Sequence, residues 1–351
     1  MKVLITGVGG PTPRSIARTL KLLSTFKNYE IIGTDINKYA IGLYQGDLFE
    51  HCYLVPKATD TNYWKVIKDI ILKHKIDVAI VQPELEVLEW SRMSVIEELP
   101  CKILLPDHDL VSALVDKATM TEHLESHYLV PKSVRVDPNN IDVKNIENKL
   151  GYPFWIRSTS GSSGLGSLKV ENINALRNWI TINPDVTEFL ASEFLPGRNL
   201  ACKLLYFEGN LIRSAVGERV NYIMSKVAPS GITGNTSFGR LINDESVFEV
   251  SKGALELLMD KVGAKKHGFF TVDLKEDENG KPKLTEINVR MVAFNSCFAV
   301  GGINFPEDIL RLLDGDSTYD KTFKLFEFDE ELIFLRDVDS LPIIMKENEL
   351  F

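Results

Sequence analysis

The stretch Gly268-Phe269-Phe270-Thr271-Val272-Asp273-Leu274 and its partner Leu284-Thr285-Glu286-Ile287-Asn288-Val289-Arg290 decide how this chain is read. The two apolar runs flank Asp277-Glu278-Asn279-Gly280, and Asn-Gly supplies the positive φ angles of a tight turn, so a β-hairpin is predicted. Side chains alternate along a strand. Glu286 and Asn288 therefore share one face, Arg290 continues it, and Asp273 on the facing strand can join them. Hard oxygen ligands converging in this way suit magnesium, and a permanent cation beside the metal suits a phosphoryl group. The same pattern also suits the charged outer face of an ordinary hairpin, so the rest of the chain has to separate the two.

A chain of 351 residues has length for two or three domains with separate cores. Its net charge of -9 weighs against a nucleic-acid partner. No run of about 18 apolar residues occurs, so no membrane span is expected. Residues 1–7 turn directly into a glycine-rich bend without the apolar core and cleavage site of a signal peptide, which gives the expectation of a cytoplasmic protein. Cys52, Cys101, Cys202 and Cys297 show no CxxC spacing. They read as reduced thiols rather than a disulfide frame or a zinc ribbon.

Residues 1–112 alternate strand and helix. Residues 2–6 form a buried-strand run, and Thr12 can cap a helix with Pro13 at its first position and Ile16, Leu20 and Leu23 on one face. A second strand at 30–34 ends at Asp35, an amphipathic helix carries Trp64, Ile67, Ile70 and Ile71, and strands follow at 77–81 and 102–105. This is a doubly wound α/β pattern. The bend Gly7-Val8-Gly9-Gly10 with Asp35 invites a dinucleotide reading, but Thr12 stands where a third glycine belongs and two prolines stiffen the turn. A close-packed strand-to-helix turn suits these residues better.

Asp116-Lys117 opens a short helix, and His123 and His127 lie one turn apart without a third metal ligand nearby. The strand at 153–158 ends in Arg157, and Thr159-Ser160-Gly161-Ser162-Ser163-Gly164-Leu165-Gly166 joins it to a returning strand at 167–170. Such a loop can close its backbone N–H groups over phosphate oxygens, and an arginine at its base binds the same oxygens. A strand at 187–195 carries Glu193, and strands at 200–207 and 211–216 precede a long polar loop, 222–239, of the length that usually serves function. Val247, Val250, Ala254 and Leu257 mark a buried helix face. Residues 316–351 read as an acidic tail with one strand.

Taken in order, Asp116-Lys117, the arginine-ended strand with its Gly/Ser loop at 153–166, Glu193-Phe194-Leu195-Pro196-Gly197, Asp273 and Glu286-Ile287-Asn288-Val289-Arg290 resemble the ATP-grasp superfamily, most closely the single-module relatives of the carbamoyl phosphate synthase large subunit. The resemblance implies a mixed α/β and α+β chain. A doubly wound domain at 1–112 is followed by a two-lobed ATP-grasp domain, with one lobe at 113–190, a second at 191–315, and the tail at 316–351. It further implies that Lys117 and Arg157 contact ATP phosphates and that Ser162, Ser163 and Gly164 close over them. Glu193 would accept from the adenine amino group beside the backbone of Phe194 and Leu195. Asp273, Glu286 and Asn288 would hold magnesium, or manganese, with Arg290 at the transferred phosphoryl. The family's acidic ribose ligand is replaced at Asn199 or Leu200, and its proline before the last arginine is Val289.

The activity implied is ligation of a carboxylate to an amine through an acylphosphate, releasing ADP and phosphate, with an amino acid or small peptide as substrate. Alternatives are a carboxylating or phosphorylating relative that stops at the acylphosphate, a nicotinamide-dependent oxidoreductase using the first domain, and a nucleotide-binding regulatory subunit. One module and no recognisable glutaminase weigh against a full carbamoyl phosphate synthase. Arg219, Lys226 and Arg240 flank the long loop, and Arg219, directly after a strand, is expected to hold the incoming acid's carboxylate. The partners expected are small molecules, with a homodimer implied by the resemblance.

Overall fold

The computed structural model describes residues 1–159, 166–292, 294–329, 332–338 and 343–349. The first domain is a five-stranded parallel sheet in the order β3-β2-β1-β4-β5. Its strands are β1 (Lys2–Thr6), β2 (Glu30–Asp35), β3 (His51–Leu54), β4 (Val78–Ile80) and β5 (Lys102–Ile103), with helices α1 (Pro11–Leu23), α2 (Tyr63–His74) and α3 (Glu84–Ile96). Strands β1, β2 and β4 are almost wholly buried, as a sheet covered by helices on both faces requires. Helix α1 starts at Pro11 with Gly10 as its N-cap, so Thr12 lies inside the helix and is not the cap.

After α4 (His108–Val115) and α5 (Lys117–Glu125), whose N-cap Asp116 accepts from Ala118 and Thr119, comes a four-stranded sheet in the order β6-β9-β7-β8. It comprises β6 (Ser133–Val136), α6 (Val143–Leu150), β7 (Phe154–Ser158), β8 (Leu168–Val170), α7 (Ile173–Ile182) and β9 (Phe189–Glu193), and encloses a small core around Phe154, Ile156, Leu176 and Phe189.

The rest builds one large sheet from β10 (Asn199–Phe207), β11 (Asn210–Tyr222), β12 (Thr236–Ile242), β13 (Gly268–Glu276) and β14 (Pro282–Asn288), with α8 (Glu245–Val262), α9 (Asn295–Val300) and α10 (Phe305–Asp314). Central strand β10 divides its side chains between two cores. Leu200, Cys202, Leu204 and Tyr206 face the core that includes Leu255, Leu258 and Met259 of α8, whereas Ala201, Leu205 and Phe207 face the core of α9 and α10. Helix α1 packs against α9 and α10, which brings the first domain onto that second face.

Two sequence expectations change. The loop expected at 222–239 is shorter, because β11 runs to Tyr222 and β12 begins at Thr236. The described residues of 316–351 contribute three strands rather than one: β15 (Lys324–Leu325) beside β11, β16 (Leu332–Leu335) beside β12, and β17 (Ile343–Lys346) beside β16. Apolar side chains drive this addition, since Ile333 and Phe334 are fully buried and Phe334 stacks on Phe294 at 5.4 Å.

Candidate active site

The central hairpin forms as expected, with a different turn. Gly280 alone has positive φ, and the Asp277 carboxylate accepts from the Asn279 and Lys281 N–H groups, so the loop is a longer one closed by a glycine. Asp273 pairs with Glu286 and Thr271 with Asn288, which puts all four on one face of the large sheet. Between Asp273 and Leu274 the register shifts by a bulge at Thr285. The Thr285 carbonyl thereby leaves the ladder and accepts from Arg157 Nη2 at 2.8 Å, tying the small sheet to the large one.

The same face continues across the neighbouring strands. Asp273 lies opposite Ala201 and Ala201 opposite Gly217, while Asn199 lies opposite both Lys275 and Arg219. Small residues in the middle leave room for the long charged ones around them. A side chain at Gly217 would stand 3.2 Å from the Phe298 ring.

Charge pairing on this face is dense. Lys117 Nζ lies 3.1 Å from Glu286 Oε1, Arg219 Nη2 donates to Asp273 Oδ1 at 2.5 Å, and Asn288 Nδ2 donates to Asp273 Oδ2 at 3.3 Å. Burial pushes the Asp273 carboxyl up, with Glu286 adding to the rise and Arg219 opposing it. Burial also acts on Glu286, but Lys117 and Arg157 outweigh it and hold that carboxyl below its ordinary value. With its amide nitrogen turned to Asp273, Asn288 keeps its carbonyl oxygen for another partner. Two carboxylates and one amide oxygen make a hard donor set, so the three residues fit a divalent magnesium or manganese ion.

A cleft of about 420 Å³ joins these groups. Its wall includes Lys117, Arg157, Glu193, Phe194, Leu195, Asn199, Arg219, Asp273, Glu286, Asn288 and Arg290, so the sequence-derived candidates within the described residues meet in one place. Ser162, Ser163 and Gly164, and the loop closure expected of them, lie outside the described residues. Lys226 and Arg240 do not line the cleft, and Arg240 pairs instead with Glu218 and Glu347. Arg219 does reach it, but is bonded to Asp273 and lies 5.1 Å from the Phe294 ring.

Three contributors escaped the sequence reading. Lys275 lines the cleft, and its Nζ donates to the Gly197 carbonyl and Asn199 Oδ1, so Asn199 is tied to a cation. Gly7, Gly10, Gln82 and Pro83 of the first domain close one side. Lys203 is fully buried beneath the face, donates to Thr271 Oγ1 at 3.1 Å and sits over Phe294 at 4.8 Å. The parity of Lys203 with Ala201 could have located it, but a lysine in so apolar a strand gave no other signal. The Gly7–Gly10 bend is held closed by Asp35, whose carboxylate accepts from the Gly9 and Asn37 N–H groups at 2.7 and 2.8 Å. The acid that a dinucleotide ribose would require is thus engaged by the bend itself.

Residues 3–102 match the family model of the PylC-like N-terminal domain. The chain superimposes with a TM-score of 0.71 on N5-carboxyaminoimidazole synthetase from Staphylococcus aureus complexed with ADP, at 16% identity over 95% of this chain and 81% of that one. The chain has the ATP-grasp fold. An ATP-grasp L-amino acid ligase from Bacillus licheniformis superimposes with a TM-score of 0.66, at 15% identity over 95% of this chain and 78% of that one. In sequence, D-alanine–D-alanine ligase of Acetivibrio thermocellus is 26% identical over 201 residues, covering 53% of this chain and 51% of that protein. The chain thus spans about half the length of this curated relative. Among the described residues, no helix is long and apolar enough to cross a membrane.

Proposed function

We propose that the chain is an ATP-dependent ligase that activates a carboxylate as its acylphosphate and joins it to an amine, with ADP and phosphate as the other products. One observation carries this reading: Lys117 and Arg157 from the small-sheet side and Asp273, Glu286, Asn288 and Arg290 from the large sheet line a single cleft that continues to Glu193 and Leu195. Phosphoryl transfer demands alignment and charge neutralisation more than covalent chemistry, and these side chains supply both. Asp273, Glu286 and Asn288 would hold magnesium, which neutralises phosphate charge. Lys117, Arg157 and Arg290 bind and orient the β- and γ-phosphates, and Glu193 with the Phe194 and Leu195 backbone receives the adenine edge. Arg219, on the reacting side of Asp273, orients the incoming carboxylate.

The names of the relatives support an amino acid or small peptide as substrate, since two of them are ligases of amino acids. A carboxylating reaction, in which bicarbonate is the acid, is the second reading and draws on the superposition with the carboxyaminoimidazole synthetase. Phosphate release from magnesium-ATP, screened over pairs of amino acids, small organic acids and bicarbonate, tests both. Release that needs an acid and an amine together supports the ligase, release with bicarbonate supports the carboxylating enzyme, and AMP with pyrophosphate among the products refutes γ-phosphate transfer.

A further inference from the structure

The first domain brings together a second set of metal-ligating side chains at the end of its sheet remote from the cleft. Glu30 opens β2 and His51 opens β3, and His51 pairs with Ile32, two residues after Glu30. By alternation, Glu30 and His51 therefore share one face. That face is the one covered by α2, because Ile32 belongs to the same core as Ile67, Ile70 and Ile71, and the last residue of α2 is His74. One ligand atom from each of Glu30, His51 and His74 lies within 4.8 Å of the other two, and the two imidazole rings are 4.7 Å apart.

The surroundings favour ligation over a chance cluster. The Tyr53 hydroxyl lies 2.6 Å from His74 Nε2 and accepts from Lys73 Nζ at 2.9 Å. With its oxygen receiving the lysine proton, it can also accept the ring N–H at Nε2, which leaves Nδ1 of His74 with the lone pair a metal needs. A hydrogen bond on the far nitrogen of a metal-bound histidine orients the ring in just this way. Among the described residues Glu30 has one ion-pair partner, Lys2, at 3.4 Å, through side chains well exposed to water, so a divalent cation has a weak competitor.

We propose that Glu30, His51 and His74 form a site for a borderline transition-metal ion, zinc being the fit for two imidazoles, one carboxylate and an open position for water. Strands β2 and β3 and the end of α2 then become one clamped unit at the edge of the sheet. The clamp is separate from the chemistry: the cleft is lined by Gly7 and Gln82, beyond the C-terminal ends of β1 and β4, whereas Glu30 and His51 lie at the N-terminal ends of their strands. His123 and His127, for which the sequence offers no third ligand, are not part of this cluster.

Calorimetric titration of zinc chloride into the full chain, stripped with EDTA and free of nucleotide, tests the site. Four proteins are compared: wild type, His51→Ala, His74→Gln and Glu286→Gln. His51 is exposed, so its variant should fold, and a metal-free melting curve matching wild type confirms it. One zinc per chain is expected for wild type and Glu286→Gln, with affinity weakened at least about tenfold in both histidine variants. Zinc should raise the melting temperature of wild type and not that of His51→Ala. Absence of binding to wild type overturns the site, as does binding that survives His51→Ala or disappears in Glu286→Gln, which would place the zinc in the cleft.

Discussion

Replacing Arg219 by alanine probes how the site keeps its buried acid. The Asp273 side chain is 16% exposed and has two polar partners of record, Arg219 Nη2 at 2.5 Å and Asn288 Nδ2 at 3.3 Å. Removing one member of a buried pair costs about 3–5 kcal/mol, because the remaining charge keeps its desolvation without its attraction. Loss of the guanidinium from its place over Phe294 adds roughly 1 kcal/mol or less. For a chain of this size a loss of about 3 kcal/mol lowers the melting temperature by roughly 4 °C. A divalent ion on Asp273 and Glu286 would replace the missing positive charge, and a ligand at about 100 times its dissociation constant restores roughly 2.7 kcal/mol. The assay is thermal unfolding of wild type and Arg219→Ala in EDTA and in magnesium-ADP. The variant should lose most in EDTA and gain more than wild type from magnesium-ADP. Equal melting of the two proteins in EDTA would refute the pairing, and equal gains would refute the metal assignment. In turnover assays the Michaelis constant for the acid should rise more than that for ATP, and an effect confined to ATP would refute the placement of the acid.

Glu286→Gln removes a charged metal ligand and the partner of Lys117, and turnover should fall by at least about two orders of magnitude while the far-ultraviolet spectrum is kept; a variant with most of its activity removes the metal assignment. Burial pushes the Glu86 carboxyl from 4.5 up to about 7 against the hydrogen bond from Tyr63. The folded state thus holds the proton that the unfolded state releases first, and stability is full below pH 4.5 and lost as pH rises to about 7. Relative to Glu86→Gln, wild type should lose roughly 3 kcal/mol over that window in denaturant titrations, and a pH-independent difference refutes the reading. Gly42→Ala would place a Cβ 2.1 Å from the Val8 carbonyl oxygen, so a loss of about 2 kcal/mol or more is expected from the displaced backbone, and an unchanged denaturation midpoint would show that the single 3-10 turn Ile41–Tyr44 moves freely.

The site was legible where its residues obey a strand's alternation. Parity puts Glu286 and Asn288 on one face and lets Asp273 of the facing strand join them, and the structure brings the three together through the pairs Asp273 with Glu286 and Thr271 with Asn288. Asp116 was read at a helix start and it caps α5, which sets Lys117 beside Glu286. What stayed hidden depends on contacts between segments distant in sequence. The bulge at Thr285 leaves no mark on composition, yet it turns a carbonyl out to Arg157, 128 residues away. Strand β12 was read as loop because Gly239 and the polar residues before it break the apolar pattern. The structure needs that glycine, since a Cβ there would lie 2.3 Å from the Glu218 carbonyl and 2.4 Å from the Phe334 ring. The signal for β16 and the absence of a side chain in β12 are thus two halves of one contact, and neither half can be read alone.

That contact also bears on the catalytic face. Phe334 of β16 stacks on Phe294, and Phe294 carries Arg219 at 5.1 Å and Lys203 at 4.8 Å over its ring. Asp273, ion-paired with Arg219 and attractive to Lys203, offsets part of their mutual repulsion, while burial together with Arg219 lowers the affinity of Lys203 for its proton. The aromatic pair supplies a negative ring face to both, and Thr271 accepts a hydrogen bond from Lys203 before donating to the Arg290 carbonyl at 3.2 Å. The C-terminal strands therefore do more than extend the sheet: Phe334 backs Phe294, the ring over which Arg219, the partner of Asp273, is seated. Removing residues 316–351 should accordingly disturb the cleft as well as the sheet edge, which the sequence reading of that segment as a tail did not anticipate.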